Sequence, residues 1–318
     1  MKQVLICAFR YLESCQEGAQ LLRQNGIGIK ANPGTVPYTR EELCRLVGDV
    51  DAVITGNEVW DEELYALAPR LKVISRFGVG VDNIDLEGAK RLGIKVCNAP
   101  GATNGVAELV VGYMIAMLRH LPTGLQWCRA GCWDRRFGQE IRGKKVGLLG
   151  YGRIPRLISH KMANFDAQLL AFDKCPDEAY ARANGVRLCS MEEILNSCDI
   201  VSLHLPALPE TRGIMDRAAF ARMKRGAYFI NTSRGSLVDE EALYDALAGG
   251  RLAGAACDVF AQEPVRADNP LLTLDNFICT PHWGSDTQET VAAVGRITAG
   301  HVVDVLCGGG EPEYWLNP

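Results

Sequence analysis

The stretch KVGLLGYGRIP, residues 145–155, decides how this chain is read. An apolar run from Lys145 to Leu149 leads straight into Gly150-Tyr151-Gly152, and a helical pattern follows. A strand that turns through glycines into a helix presents backbone N–H groups at the positive helix end, where they bind an anion. Gly150 permits the tight turn, and Gly152 lets the N–H groups of Arg153 and Ile154 approach a pyrophosphate. Asp173 ends the next strand pattern, 21 residues beyond Gly152. A carboxylate there accepts hydrogen bonds from ribose hydroxyls and repels a 2′-phosphate. The spacing therefore predicts a dinucleotide site that takes NAD rather than NADP, with Lys174 working against that preference. Pro155 replaces the usual third glycine. In the first helical turn it loses only an N–H that has no intrahelical partner.

Outward from this stretch, short apolar runs alternate with segments of helical length, the pattern of βαβ units and parallel sheets. The expected class is α/β. Strands are predicted at 4–8, 27–29, 52–55, 72–75 and 94–98, and in a second series at 145–150, 168–173, 186–189, 199–205, 227–232, 254–260 and 277–280. Two series mean two sheets. They are joined by an apolar helix over Asn104–Leu121 and a polar stretch from Pro122 to Gly143. A last helix, from about Asp286 to Cys307, needs an apolar face to cover, and the first sheet offers one. Thr39-x-x-Glu42 and Ser190-x-x-Glu193 read as capping boxes.

Composition narrows the function. At 318 residues, 47% hydrophobic and 23% charged, the chain has the make-up of a globular protein of about two domains. A net charge of −4 without a basic run argues against nucleic acid as a partner. The apolar run Leu109–Leu118 is about half the length of a membrane span. MKQVLICAFR reads as a first strand rather than a signal peptide. Twelve cysteines lie scattered through apolar runs without a CxxC pair, and five histidines are equally dispersed. Buried thiols in a reducing cytoplasm are expected, with no disulfide framework and no metal site.

Three polar residues follow strand ends in the second series: Arg234 in INTSRGSLVDE, Glu263 in CDVFAQEP and His282 in CTPHWGSDT. In open α/β sheets ligands bind outside the carboxyl ends of strands, so the three point to one crevice. Arginine offers a fork for a carboxylate. A glutamate beside a histidine fixes its tautomer and favours its protonated form, suiting it to exchange a proton with a carbonyl or alcohol oxygen. Taken singly, Arg234 reads equally as a surface helix cap, Glu263 as an exposed turn acid and His282 as a structural turn residue.

The ordered set GVGVDNID (78–85), GYGRIP, HLP (204–206), INTSRGSLVDE, CDVF-x-x-EP and TPHWG resembles the D-2-hydroxyacid dehydrogenases, and the likeness spans nearly the whole chain. The resemblance implies Arg234 as ligand of the substrate carboxylate and carbonyl, Glu263 as orienting acid and His282 as proton donor. It places Asp258 at the nicotinamide end of the cofactor and the substrate carboxylate on the N–H groups of Val79 and Gly80. It also implies two Rossmann-like domains with the active site in the cleft between them. Residues 1–100 with 286–318 would form a flavodoxin-like substrate domain, and 101–285 the NAD-binding domain. A cytoplasmic homodimer paired through the cofactor domain is expected, with no membrane contact and no regulatory extension after Pro318.

The leading expectation is hydride transfer between NAD(H) and C2 of a small D-2-hydroxy or 2-keto acid. One alternative is D-3-phosphoglycerate dehydrogenase. Relatives that use phosphorylated acids tend to carry arginine near the end of the third strand, where this chain has Thr55-Gly56-Asn57, so Arg76 is the candidate phosphate ligand and Arg135 its reserve. An alternative of another class is an NAD-sensing corepressor, since the C-terminal binding proteins of transcription resemble this family.

Overall fold

In the computed structural model, which describes residues 1–8, 10–34, 36–101 and 103–318, the chain divides into two compact units. One comprises Met1–Ala102 with Ser285–Pro318, and the other Thr103–Gly284.

The first unit holds five parallel strands: β1 (Gln3–Ile6), β2 (Gly28–Ala31), β3 (Ala52–Thr55), β4 (Val73–Arg76) and β5 (Lys95–Asn98). Their order, β2-β1-β3-β4-β5, is the flavodoxin-like 2-1-3-4-5 arrangement, with its switch point between β1 and β3. The strands are apolar on both faces because helices cover both. Leu5, Val53, Ile74 and Val96 face one core with Leu43, Trp60 and Leu64. Val4, Ile6, Ala52, Ile54 and Val73 face the other. That second core is closed by Leu22 and by Ala299 and Val302 of the last helix, Gln288–Val303. The terminal helix thus covers the first sheet, as its apolar face requires.

The second unit holds seven parallel strands: β6 (Lys145–Leu149), β7 (Gln168–Phe172), β8 (Val186–Leu188), β9 (Ile200–Leu203), β10 (Ala227–Asn231), β11 (Leu252–Cys257) and β12 (Phe277–Cys279). Their order is β12-β11-β10-β9-β6-β7-β8. Counted from β6 this is the doubly wound 3-2-1-4-5-6 order with one added edge strand, and it reverses between β6 and β9. Val146, Leu148, Tyr228 and Ile230 point to the layer that contains Met114 and Ile158. Leu149, Val201 and Phe229 point the opposite way, onto Ile194, Phe220 and Leu243. Phe220 meets Phe229 edge-on at 5.2 Å between ring centroids, worth about 1 kcal/mol beyond the area it buries.

Local signals hold to different degrees. Thr39 and Glu42 form the reciprocal capping box. Ser190 accepts from the Glu193 N–H, but the Glu193 carboxylate turns to Arg187 at 2.6 Å, so only half of that box exists. The long apolar helix ends at Leu118 because His120 takes a left-handed conformation, φ 52°. A further helix, Leu121–Arg129, occupies part of the polar stretch from Pro122 to Gly143.

Candidate active site

Every chemical signal in the second unit follows the carboxyl end of a strand. Gly150 follows β6, Asp173 follows β7, Arg234 follows β10, Glu263 lies beyond β11, and His282 beyond β12. These ends form one edge of the sheet, where ligands of open α/β folds bind.

At the switch point, Gly150 adopts φ +100°, and a Cβ on it would come within 2.7 Å of the His204 carbonyl oxygen. Only glycine fits there. A Cβ on Gly152 would meet nothing within 4 Å, and no side chain caps the helix Arg153–Ala163 that this glycine begins. Among the described residues no acceptor takes the N–H of Arg153 or of Ile154, which stand at a positive helix end. Pro155 is buried in the first turn and the helix continues past it, with the Arg156 N–H on the Gly152 carbonyl at 3.1 Å. Asp173 accepts the Tyr151 N–H at 2.7 Å on one oxygen and the Cys175 N–H at 2.9 Å on the other. Each oxygen keeps a lone pair for a ribose hydroxyl. Lys174 is exposed and lies 3.7 Å from Glu210. At the end of β10, Thr232 Oγ1 is buried without a partner among the described residues. An open anion cradle, an anchored acid and an orphaned hydroxyl on one sheet edge fit a dinucleotide.

At the far end of the same edge, His282 Nδ1 lies 2.7 Å from Glu263 Oε2. The other oxygen of Glu263 accepts the Phe260 N–H at 3.0 Å. Burial acts to raise Glu263, but the hydrogen bond and charge of His282, the Phe260 amide and Arg234 outweigh it and hold the carboxyl below its ordinary range. A carboxylate that takes Nδ1–H leaves Nε2 as the nitrogen that exchanges a proton.

His282 itself sits at φ 58°, a conformation that β-carbon-bearing residues avoid. Asp258 imposes it. The backbone carbonyl of Asp258 accepts the His282 N–H, and its carboxylate, 2% exposed, accepts the Trp283 N–H at 2.7 Å and the Gly284 N–H at 2.8 Å. Thr280 Oγ1 donates to the same carboxylate and is itself bonded to the Tyr113 hydroxyl. Burial holds Asp258 above the ordinary carboxylate range in spite of these donors. The family resemblance puts Asp258 on the cofactor; the structure gives its carboxylate the loop that carries His282. No sequence pattern marks Tyr113 or Thr280, although the TPH tripeptide sets Thr280 two residues before the histidine.

Arg234 is partly buried, its Nη1 on the Ser233 carbonyl at 2.8 Å, and its own carbonyl accepts from Asn231 Nδ2 at 2.9 Å.

The first unit carries the glycine-rich loop. Val79 O accepts from Asn98 Nδ2 at 2.7 Å and Gly80 O from Arg76 Nε at 2.9 Å. Among the described residues no acceptor takes the N–H of Val79 or of Gly80. Two successive N–H groups held by their carbonyls make an anion-binding concavity. Arg76 is only 8% exposed, and besides Gly80 it donates to the Phe77 carbonyl and to Asn57 Oδ1. It braces the loop from beneath.

The chain is similar to known proteins in both sequence and fold. Residues 111–284 match the sequence model of the D-isomer specific 2-hydroxyacid dehydrogenase, NAD binding domain. A D-3-phosphoglycerate dehydrogenase of Methanocaldococcus jannaschii is 42% identical over 297 residues, 90% of this chain and 56% of its own length. One from Archaeoglobus fulgidus is 37% identical over 297 residues, 92% of this chain and 56% of its own length. The chain therefore spans about half the length of the curated relatives it matches. Among solved structures, the TT0316 protein from Thermus thermophilus superposes with a TM-score of 0.91 at 32% identity, covering 99% of both chains.

Proposed function

The chain belongs to the D-isomer specific 2-hydroxyacid dehydrogenase family and carries its NAD-binding domain, and from that membership we propose that it interconverts a small D-2-hydroxy acid and its 2-keto acid. The observation that carries the proposal is the His282–Glu263 hydrogen bond of 2.7 Å on a loop that Asp258 holds in a left-handed turn.

In reduction of the keto acid, the hydride for C2 would come from NADH bound at the site described at the end of β6. In that direction Arg234 binds the substrate carboxylate and polarises the C2 carbonyl, drawing charge onto its oxygen. The Val79 and Gly80 N–H groups receive the carboxylate. His282, protonated, gives its Nε2 proton to the C2 oxygen as the alcohol forms, and Glu263 stabilises the imidazolium beforehand through Nδ1. In the oxidative direction His282 takes the same proton back. Asp173 selects the unphosphorylated ribose of NAD.

Small unphosphorylated acids such as hydroxypyruvate, glyoxylate or pyruvate are the proposed substrates. Thr55-Gly56-Asn57 carries no cation of its own at the end of β3, and the Arg76 guanidinium beside it is engaged on Asn57 Oδ1 at 2.9 Å and on the Phe77 and Gly80 carbonyls. Beside the tripeptide lies the buried carboxylate of Glu58, which accepts the Gly56 N–H at 2.7 Å and the Thr55 hydroxyl at 3.0 Å. The names of the relatives favour a second reading, 3-phosphohydroxypyruvate, with Arg76 or Arg135 on the phosphate. An arginine–phosphate contact is worth about 1.5–3 kcal/mol, roughly 10- to 150-fold in kcat/KM. NADH oxidation with each acid decides. A preference above about tenfold for the phosphorylated acid, lost in Arg76→Ala, establishes the second reading.

Self-association through the second unit is part of the proposal. Leu121, Leu125, Trp133 and Phe137 are all more than half exposed within one short stretch, and Trp133 and Phe137 are more than 90% exposed. A cluster of large apolar side chains in water marks an interaction surface. Sedimentation at micromolar protein should show a dimer, and Trp133→Glu should return it to monomer.

A further inference from the structure

The loop that carries Glu263 is tied from outside by a carboxylate that neither the family reading nor the mechanism uses. Glu240 opens the helix Glu240–Ala248. Its Oε1 accepts the Ala261 N–H at 2.6 Å, and its Oε2 accepts the side-chain amide of Asn269 at 2.9 Å. Ala261 lies two residues before Glu263 and Asn269 six residues after it. One side chain therefore grips both flanks of the segment that bears the acid. Asn269 spends its other amide atom on the Leu271 N–H, as cap of the turn Pro270–Thr273, so its Nδ2 is the group left for Glu240.

Close packing reinforces the tie. Gly235, next to Arg234, lies so near the Phe260 backbone that a Cβ would come within 1.9 Å of the Phe260 carbonyl carbon. Phe260 is also the residue whose N–H holds Glu263 Oε1. The turn that begins the Glu240 helix and the segment that carries Glu263 are thus in backbone contact at 235 and 260, and stitched at 240 and 261.

We propose that Glu240 is a positioning residue for the proton-transfer pair, fixing the 261–269 segment so that the Glu263 carboxylate stays on His282. Glu240 touches neither substrate nor cofactor in this account. It acts through the segment, and the charged groups that act on the pair are Arg234, whose charge lowers Glu263, and Asp258, whose backbone carbonyl accepts the His282 N–H. Around Glu240 the charged neighbours in the same surface hollow are Glu241, Arg266 and Asp268. The proposal rests on the roles given above to His282 and Glu263, so its test includes a readout that needs no turnover.

The experiment follows the imidazole 15N resonances of His282 against pH, assigned by their loss in His282→Gln, in wild type, Glu240→Ala, Glu240→Gln and Asn269→Ser, with Glu263→Gln as the reference for a broken pair. Glu240→Ala should move the resonances and their titration toward those of Glu263→Gln. It should also lower kcat for keto-acid reduction by about 10- to 100-fold, the cost of misplacing a reacting group by about an ångström, while NADH binding is unchanged. Glu240→Gln keeps an acceptor for Ala261 and should recover most of both. Asn269→Ser keeps the cap and loses only the tie, and should show the same change in smaller degree. Glu241→Ala should match wild type. If Glu240→Ala fails to fold, Asn269→Ser decides. Wild-type resonances and kcat in the folded variants, with Glu263→Gln displaced, would overturn the proposal. A wild type that reduces no keto acid overturns the functional reading instead, and the resonances still judge Glu240.

Discussion

The backbone N–H of His282 donates to the backbone carbonyl of Asp258 at 2.8 Å, while the Asp258 carboxylate takes the next two N–H groups of the chain, those of Trp283 and Gly284. One residue thereby holds a left-handed histidine from both sides. Strain of this kind costs about 1–3 kcal/mol and persists only where its surroundings enforce it.

Asp258→Asn should release that enforcement. Its amide nitrogen would face a donor, leaving a buried N–H unpaired at a cost of about 1–3 kcal/mol. Urea unfolding should register the loss, and kcat should fall more than NADH affinity. Unchanged stability and turnover would show that the loop keeps its shape without the carboxylate.

Glu263→Gln should leave an active enzyme with a shifted pH profile. The amide oxygen still orients the imidazole, but the negative charge that favours its protonated form is gone. Keto-acid reduction uses protonated His282, so activity that declines at high pH should decline at lower pH in the variant. A superimposable pH–rate profile would remove the Glu263 charge from the mechanism.

Asp173 anchors the glycine loop through the Tyr151 N–H and faces the ribose with what remains of its carboxylate. Asp173→Ala should therefore raise KM for NADH and narrow its advantage over NADPH by about tenfold or more, because a charge-assisted hydrogen bond to the ribose disappears and a repulsion of the 2′-phosphate is relieved. A wild type that already prefers NADPH would contradict the assignment and turn attention to Lys174.

A buried histidine outside the site sets an acid limit on the fold. His301 is 2% exposed, with Nδ1 2.9 Å from Ser75 Oγ and Nε2 without a partner among the described residues. Burial pushes it down to about 4 from an ordinary 6.5. The unfolded chain therefore binds a proton near pH 6.5 that the folded chain refuses until about pH 4, and stability falls as pH drops through that window. Its share is of the order of 3 kcal/mol. His301→Gln should lose less stability than wild type between pH 7 and 4.5 in urea unfolding. Equal losses would place the acid sensitivity elsewhere, for instance at His204, which burial pushes down to about 3.

Much of this was legible in the residues because the signals are local. KVGLLGYGRIP writes strand, turn and helix into eleven consecutive positions, and AVIT at 52–55 is a strand to the residue. Arg234, Glu263 and His282 each follow a strand, which orders them along the sheet edge. What stayed hidden depends on ties between distant segments. Glu240 reaches Ala261 across 21 residues, Asp258 reaches Gly284 across 26, and Tyr113 reaches Thr280 across 167. No periodicity records such a bond. The bonds of Arg76 were hidden for the same reason: the Gly80 and Phe77 carbonyls to which it donates belong to a loop whose path the sequence does not state.

The most direct test of the account is NADH consumption with a saturating small 2-keto acid by wild type and by His282→Gln, measured together with NADH binding. The account predicts a drop in kcat of about 10² to 10⁴, the usual worth of a positioned acid–base group, with the NADH dissociation constant unchanged. Turnover that survives within a factor of a few would show that His282 is not the proton donor, and the His282–Glu263 pair would lose its place at the centre of the reaction.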